Sequence, residues 1–278
     1  MLFADVNGIR LAYSDTGTGS PVALLVHGFP LNRSMWDPQR GSLRSTGVRV
    51  IAPDLRGFGA SESGPPGPLT MEQHADDLVA LLDVLGVSEP VVFIGLSMGG
   101  YVGFALWRRH PERVRAFVFA DTRASADTAT AREDRLRIAR LAEEFDSPQP
   151  AIDSMLPRLL SPHLRAGSLP ERLVRGMMAG SSAQAVANGQ RDLVARVDSS
   201  STLSTITVPT LVIVGEHDVL TPPDESRLIA EGIANARLVT IDQAGHMSNL
   251  ENPEAFNDAL IEFIWIASPS GRGRAERG

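Results

Sequence analysis

Three separate segments carry side chains that together could perform nucleophilic catalysis. The segment GLSMG at residues 95–99 places Ser97 between two glycines, while Asp218 and His246 lie far downstream. A serine hydroxyl is a weak nucleophile unless an adjacent base accepts its proton. The base in turn needs an acid that holds its tautomer and stabilises its cation. The sequence therefore predicts a catalytic triad of Ser97, His246 and Asp218.

The surroundings of Ser97 predict the geometry that this chemistry needs. The apolar run VVFIGLS (91–97) is typical of a buried strand, and the residues after it have a helical pattern that ends near His110-Pro111. In a strand–turn–helix unit the serine occupies a tight, strained turn that raises its hydroxyl above the sheet. The flanking glycines are expected because such a turn leaves no room for Cβ atoms.

His246 is the predicted base because of its position after the last predicted strand, in the loop QAGH (243–246). Open α/β sheets form their sites at the carboxyl ends of the strands. His74 and His110 are interpreted as surface or helix-capping residues, and His163 lies among prolines. His27 is expected to brace its own loop by hydrogen bonds. The other histidine in the chain is His217.

Asp218 is the predicted acid, since it also follows a strand and the chain order Ser97, Asp218, His246 matches the order expected of this unit. Asp121, at the end of an earlier strand, is the rival. An oxyanion hole needs two backbone N–H groups aimed at the developing charge. Met98, after the serine, and Phe29, in the loop HGFP (27–30), are the candidates.

Short apolar runs that alternate with helical patterns predict an α/β fold with a mostly parallel sheet. The N-terminal residues 3–14 predict an edge hairpin that turns at Asn7-Gly8. Residues 123–205 contain helical stretches and prolines but no strand-like run, so they predict a helical lid inserted into a core of residues 1–122 and 206–268. Residues 269–278 are polar and glycine-rich and are expected to be disordered.

Composition excludes several classes of chemistry. The 278 residues include no cysteine and no lysine, which rules out thiol nucleophiles, thiolate metal sites, Schiff bases and a Ser–Lys dyad. The net charge of −7, without a basic stripe, argues against a nucleic-acid partner. Neither a signal peptide nor a run of about 20 apolar residues is visible, so a cytoplasmic protein that does not bind membranes is expected. No metal site and no cofactor are expected. The loop at 54–61 is interpreted as structural.

The motifs together resemble the α/β-hydrolase superfamily over residues 3–266. The resemblance rests on HGFP (27–30), DLRGFGAS (54–61), GLSMGG (95–100), GEHD (215–218) and GH (245–246). Within the superfamily, the segments GLSMGG, HPERVRAFVFADT and GHMSNLENPEAF are most similar to 3-oxoadipate enol-lactonases and small carboxylesterases. Non-haem haloperoxidases, or perhydrolases, share much of the pattern. The resemblance implies an eight-stranded, mostly parallel sheet flanked by helices, with a helical cap after the sixth strand.

The function that the residues and the resemblance imply is hydrolysis of a small carboxylic ester or lactone through an acyl-enzyme intermediate. Serine at position 97 disfavours relatives with an aspartate nucleophile. Enol-lactonase or perhydrolase activity, and a non-enzymatic ligand receptor, stay open as alternatives. The lid should roof the pocket and set substrate choice. Its apolar residues are candidates either for the pocket lining or for the core: Met155, Leu156, Leu159, Leu160, Met177 and Met178.

Overall fold

One sheet of eight strands organises the protein. The structure is a computed structural model that describes residues 1–64 and 69–267. The spatial order is β1-β2-β4-β3-β5-β6-β7-β8; β2 is antiparallel to β1 and β4, and all other pairs are parallel. The predicted eight-stranded, mostly parallel sheet is confirmed. The strands are β1 Leu2–Val6, β2 Ile9–Asp15, β3 Val22–Val26, β4 Arg49–Pro53, β5 Val91–Leu96, β6 Val114–Ala120, β7 Thr210–Gly215 and β8 Ala236–Ile241.

The first two strands form the predicted hairpin. Val6 and Ile9 are paired across the turn, and the two residues between them, Asn7 and Gly8, have φ angles of 45° and 75°. Positive φ at both central positions matches the twist of the flanking strands, which is why Asn-Gly is favoured there.

Helices cover both faces of the sheet. Thr70 caps the second helix, because its hydroxyl accepts the N–H of Gln73 at 3.1 Å, and Gly86 follows the helix with φ 66°. Both features agree with the sequence pattern. The helices are α1 Asp37–Ser45, α2 Met71–Val84, α3 Met98–Arg109, α4 Ala129–Glu144, α5 Gln149–Leu159, α6 Leu169–Ala179, α7 Ala183–Ala195, α8 Pro223–Gly232, α9 Ser248–Glu251 and α10 Pro253–Ala267.

The apolar core lies in two layers, one on each face of the sheet. On the α2–α3 side, the rings of Phe104, Phe119 and Phe117 stack in series with centroids 4.4 and 4.8 Å apart. On the other side, Trp36 packs against Phe256 of α10. Strands β3, β5 and β7 are buried along their whole length, as near-continuous apolar sequence predicts for parallel strands.

The chain between β6 and β7 forms helices α4–α7 and lies over the carboxyl ends of the strands. Ser181 donates a hydrogen bond to the Pro30 carbonyl at 3.1 Å, and the Met247 N–H donates to the Leu159 carbonyl at 3.1 Å. These contacts hold the helical segment against the loops that carry the candidate site residues. The tail predicted at 269–278 lies outside the described residues.

The prediction that His74 is a surface or capping residue is wrong. Its side chain is buried, and neither ring nitrogen has a hydrogen-bond partner among the residues described. It belongs to the inward-facing stripe of α2, together with Met71, Ala75 and Leu78. That helical spacing places it in the core. Burial lowers the pKa of His74 to about 4, so the ring is neutral.

Candidate active site

Ser97 occupies a strained turn between β5 and α3. Its φ and ψ of 55° and −113° lie in a region that residues other than glycine rarely adopt. The neighbouring strand holds the turn in place: the Ser97 N–H donates to the Ala120 carbonyl at 2.9 Å, and the Thr122 hydroxyl donates to the Ser97 carbonyl at 2.8 Å. Ser97 therefore occupies the tight turn of the predicted strand–turn–helix unit.

Two glycines make that turn sterically possible. A Cβ atom at Gly95 would lie 2.4 Å from the Gly99 carbonyl oxygen, and one at Gly99 would lie 2.2 Å from the Val26 carbonyl oxygen. Both obstacles are backbone atoms, which cannot move aside as a flexible side chain could. The expectation that the flanking positions have no room for a side chain is confirmed.

His246 and Asp218 meet at the carboxyl edge of the sheet. Nδ1 of His246 lies 2.7 Å from Oδ2 of Asp218, and both side chains are buried. The Thr221 hydroxyl donates to Oδ2 at 2.6 Å, while Oδ1 accepts the backbone N–H groups of Leu220 and Thr221 at 2.8 and 3.0 Å. Burial raises the pKa of Asp218, but the nearby His246 ring and these hydrogen bonds outweigh it and hold the pKa below its ordinary value.

The loop that carries His246 is fastened on its other side by Glu251. The two carboxylate oxygens of Glu251 accept the N–H groups of Gly245 at 3.1 Å and of Ser161 at 2.8 Å. This carboxylate therefore ties the histidine loop to the helical segment above it. Its burial raises its pKa above the usual value.

Asp121, the rival acid, faces different partners. Its Oδ1 accepts the Gly215 N–H at 2.8 Å, and its Oδ2 accepts the Ser248 hydroxyl. The carboxyl is fully buried, and burial together with the charge of Asp218 raises its pKa well above the ordinary value. Asp121 thus joins the end of β7 to the residues after His246, whereas Asp218 contacts the imidazole itself.

Phe29 and Met98, which the sequence predicts as oxyanion donors, both lie beside the Ser97 turn. Met98 is the first residue of α3, so its N–H has no acceptor one turn earlier in the helix. Phe29 follows β3, and a Cβ atom at its neighbour Gly28 would lie 3.3 Å from the Ser97 Cβ. The loop of Phe29 therefore runs directly beside the serine turn.

His27 braces this loop, as predicted. Its Nε2 accepts the N–H of Leu55 at 2.9 Å, and its Nδ1 donates to the Gly28 carbonyl at 2.9 Å. Burial lowers the pKa of His27, which keeps the ring neutral. The loop at 54–61 is structural, as predicted: Asp54 accepts the N–H groups of Arg33 and Ala60, both at 2.8 Å.

Ser97 and His246 line one cavity of about 300 Å³ below helices α4, α5 and α7. Phe29 and Thr221 also line it. Of the six lid residues considered from sequence, Met155 and Leu159 reach the cavity. The other four are buried in the second core layer: Leu156, Leu160, Met177 and Met178.

Sequence reasoning missed the arginines of this cavity. Arg123, Arg135 and Arg158 line it together with the carboxylates of Asp127 and Asp134. No sequence pattern singled these side chains out, because the spacing of charges along one helix does not show which of them face a second helix. Over the described ranges, no group of three or more histidine or carboxylate side chains has a metal-binding arrangement. Nor is any helix in those ranges long and apolar enough to cross a bilayer.

Comparisons with known proteins show what this chain is similar to. The chain is similar to 3-oxoadipate enol-lactonase 2 of Acinetobacter baylyi, with 32% identity over 91% of this chain and 92% of the relative. A thermophilic esterase from Thermogutta terrifontis, solved with malate bound, superposes with a TM-score of 0.90 at 39% identity, covering 96% of this chain and 99% of the esterase. A bromoperoxidase from Bacillus anthracis has a TM-score of 0.83 at 26% identity, with 95% and 99% covered.

The sequence model of the alpha/beta hydrolase fold matches residues 21–253, which include every candidate site residue described above. The chain therefore belongs to the α/β-hydrolase fold family.

Proposed function

We propose that the protein is a serine hydrolase that cleaves a small carboxylic ester or lactone, with Ser97, His246 and Asp218 as its catalytic residues. The observation that carries the proposal is the 2.7 Å contact between Nδ1 of His246 and Asp218, in a cavity that Ser97 also lines. A hydroxyl on a strained turn, a buried imidazole and an ionised carboxylate behind it are the parts that acyl transfer requires. Similarity to an esterase and an enol-lactonase supports the reaction class.

Acylation begins when His246 accepts the Ser97 proton. Because Nδ1 is engaged by Asp218, Nε2 is the nitrogen left to act as the base. The serine oxygen attacks the carbonyl carbon, and the tetrahedral oxyanion forms. The N–H groups of Phe29 and Met98 stabilise this charge at no cost in reorganisation. Collapse of the intermediate breaks the bond to the leaving oxygen, which takes the proton from His246.

Deacylation repeats the same steps with water as the nucleophile. His246 accepts a proton from water, the hydroxide attacks the Ser97 ester, and the acid is released as the serine regains its proton. For a lactone, the leaving alcohol and the acyl group belong to one molecule, so the ring opens to a hydroxy or keto acid. In this scheme residues 123–205 act as the cap that encloses the substrate.

A panel of 4-nitrophenyl esters and lactones tests the proposal, with Ser97→Ala as the control. We expect ester or lactone turnover that depends on Ser97, and a fluorophosphonate adduct on Ser97 that mass spectrometry locates. No Ser97-dependent turnover of any ester, lactone or thioester, together with no adduct, would refute the hydrolase proposal and favour a ligand receptor.

The same panel separates the two enzymatic alternatives. Similarity to an enol-lactonase supports the lactonase alternative. A higher kcat/KM for lactones than for acyclic esters would assign the protein to that activity. Structural similarity to a bromoperoxidase supports the perhydrolase alternative. Peroxide-dependent bromination of an indicator dye would detect that activity.

A further inference from the structure

The loop that carries His246 is held from two sides. On the side of the sheet, the Gln243 N–H donates to the Glu216 carboxylate at 2.9 Å. The Ala244 carbonyl accepts the His217 N–H at 2.8 Å. Beyond these bonds the loop leaves the sheet and meets the chain that ends α5. The position of the proposed base therefore depends on the helical segment between β6 and β7 as well as on the sheet.

Both chain neighbours of His246 contact the residues at and just after the end of α5. The Met247 N–H donates to the Leu159 carbonyl at 3.1 Å. On the other side of the histidine, a Cβ atom at Gly245 would lie 2.4 Å from the backbone nitrogen of Ser161. Only glycine permits this approach, because the obstacle is backbone. The two segments are therefore in direct backbone contact on either side of the imidazole.

Glu251 bridges the two segments with a carboxylate that binds only backbone N–H groups. Its Oε2 accepts the Ser161 N–H at 2.8 Å, and its Oε1 accepts the Gly245 N–H at 3.1 Å. It forms no ion pair among the residues that the structure describes. A partly buried carboxylate without a cation is costly unless its oxygens accept hydrogen bonds, and here each oxygen does so from a different segment. An amide at this position has only one acceptor oxygen and could satisfy only one of the two segments.

The bridged residues connect the roof of the cavity to the base below it. The side chain of Leu159 lines the cavity, as does that of Met155 one turn earlier in α5. Because the Leu159 carbonyl accepts the Met247 N–H, a shift at the end of α5 would also move the loop of His246. Nδ1 of His246 lies 2.7 Å from Oδ2 of Asp218, and a hydrogen bond of this length tolerates little displacement.

We propose that Glu251 is a positioning residue that couples the helical segment to the base, so that the place of α5 over the cavity and the alignment of His246 are set together. The proposal rests on the hydrolase function proposed above and adds a further residue to it. Glu251 does not line the cavity, so it acts through His246 and not on the substrate itself. Misplacing a catalytic group by about 1 Å can lower a rate by about 100-fold.

The variant Glu251→Gln removes one of the two bonds and keeps the shape of the side chain. We expect kcat for a 4-nitrophenyl ester to fall by about 10- to 100-fold, the effect of losing one hydrogen bond to a charged group. The low-field NMR resonance of the proton between His246 and Asp218 should shift or broaden. A merely structural role would lower the melting temperature of the variant but would leave this resonance, and kcat measured well below that temperature, unchanged.

Glu216→Gln is the matched control. Glu216 is exposed, and its carboxylate accepts the Gln243 N–H on the sheet side of the same loop. One amide oxygen is enough to keep that bond, so the variant removes the same charge from the loop without releasing the loop from its partner. We expect kcat to change less than about threefold, as is typical of an exposed charge, and the His246 resonance to stay in place.

Hydrogen exchange in the native protein tests the coupling without a variant, and it decides the matter if Glu251→Gln does not fold. The amide hydrogens of Ser161, Gly245 and Met247 should become accessible in one opening event and therefore have equal opening free energies. In Glu251→Gln, exchange at Ser161 and Gly245 should accelerate together by about 10- to 100-fold. Unequal opening free energies in the native protein, or acceleration at only one of the two amides in the variant, overturn the coupling.

The outcomes also separate the two proposals. If the native protein shows Ser97-dependent turnover but Glu251→Gln leaves kcat and the His246 resonance unchanged, the positioning role is overturned and the hydrolase proposal stands. If no ester, lactone or thioester is turned over, the hydrolase proposal fails. The resonance and the hydrogen exchange then still decide the coupling, because neither measurement needs a substrate.

Discussion

Replacing Asp218 with asparagine exchanges one carboxylate oxygen beside His246 for an amide nitrogen. Oδ1 of Asp218 accepts two backbone N–H groups, from Leu220 and Thr221, so the amide oxygen should take that position. The amide nitrogen then faces Nδ1 of His246 in place of Oδ2, which lies 2.7 Å away in the native protein. Because the amide nitrogen donates, Nδ1 must accept and the ring proton moves to Nε2.

That tautomer cannot accept the Ser97 proton. In serine hydrolases the loss of the correct tautomer lowers turnover by about 10⁴-fold, equivalent to about 5 kcal/mol of transition-state stabilisation. The hydrogen bonds of Oδ1 are preserved and the hydroxyl of Thr221 can rotate to face the amide, so the fold should survive. We therefore expect a large loss of kcat with a small change in KM.

Asp121→Asn is the matched control, because Asp121 is equally buried and its partners are Gly215 and Ser248. Its amide oxygen can keep the Gly215 contact, so we expect less than about tenfold loss of activity, the effect of about one altered hydrogen bond. Both variants are assayed with a 4-nitrophenyl ester, and circular dichroism checks their fold. If Asp121→Asn inactivated the enzyme while Asp218→Asn did not, the assignment of the acid would be refuted.

Three further predictions concern stability. Gly99→Ala should lower the free energy of unfolding by about 1–3 kcal/mol or prevent folding, since its Cβ would lie 2.2 Å from a backbone carbonyl oxygen. Urea denaturation measures this. Gly176→Ala is the control: its Cβ would have nothing within 4 Å, so this variant should be neutral or stabilising in the same assay. Burial raises the pKa of Asp192 to about 7, so this carboxyl stays protonated in the native state at pH values where it is ionised in the unfolded chain. The free energy of unfolding therefore falls as the pH rises from about 4 to 7. Asp192→Asn removes this loss, so the melting temperature of the variant relative to the native protein should rise over that range; a constant difference would contradict the buried-acid explanation. Asp77→Ala leaves the buried guanidinium of Arg56 without the carboxylate that it contacts at 2.7 and 2.8 Å. We expect the free energy of unfolding in urea to fall by about 3–5 kcal/mol, and an unchanged denaturation midpoint would contradict this expectation.

Much of the fold follows from local sequence patterns. The strand before Ser97, the helix after it and the hairpin turn at Asn7-Gly8 each depend on residues within one turn or strand of each other. Thr70 likewise caps its helix through a residue three positions away. Such features can be predicted because their hydrogen bonds and steric limits are internal to a short segment.

Other features were missed because they depend on which elements pack together. His74 is buried because it lies on the inward-facing stripe of α2, whereas the polarity of an imidazole favours a surface position when only the sequence is considered. Arg158 and Arg123 belong to separate parts of the chain, and only the packing of α5 over the carboxyl edge brings them to one cavity. A list of charges along each helix does not contain that information.

Glycine spacing, strand ends and chain order are local or linear properties, so they predict the strand–turn–helix unit at Ser97 and restrict the acid to Asp218 or Asp121. They do not show which carboxylate meets the imidazole of His246, nor which guanidinium groups line the cavity. Those outcomes depend on distances between residues that are remote in the chain, and the packing of the whole molecule sets them.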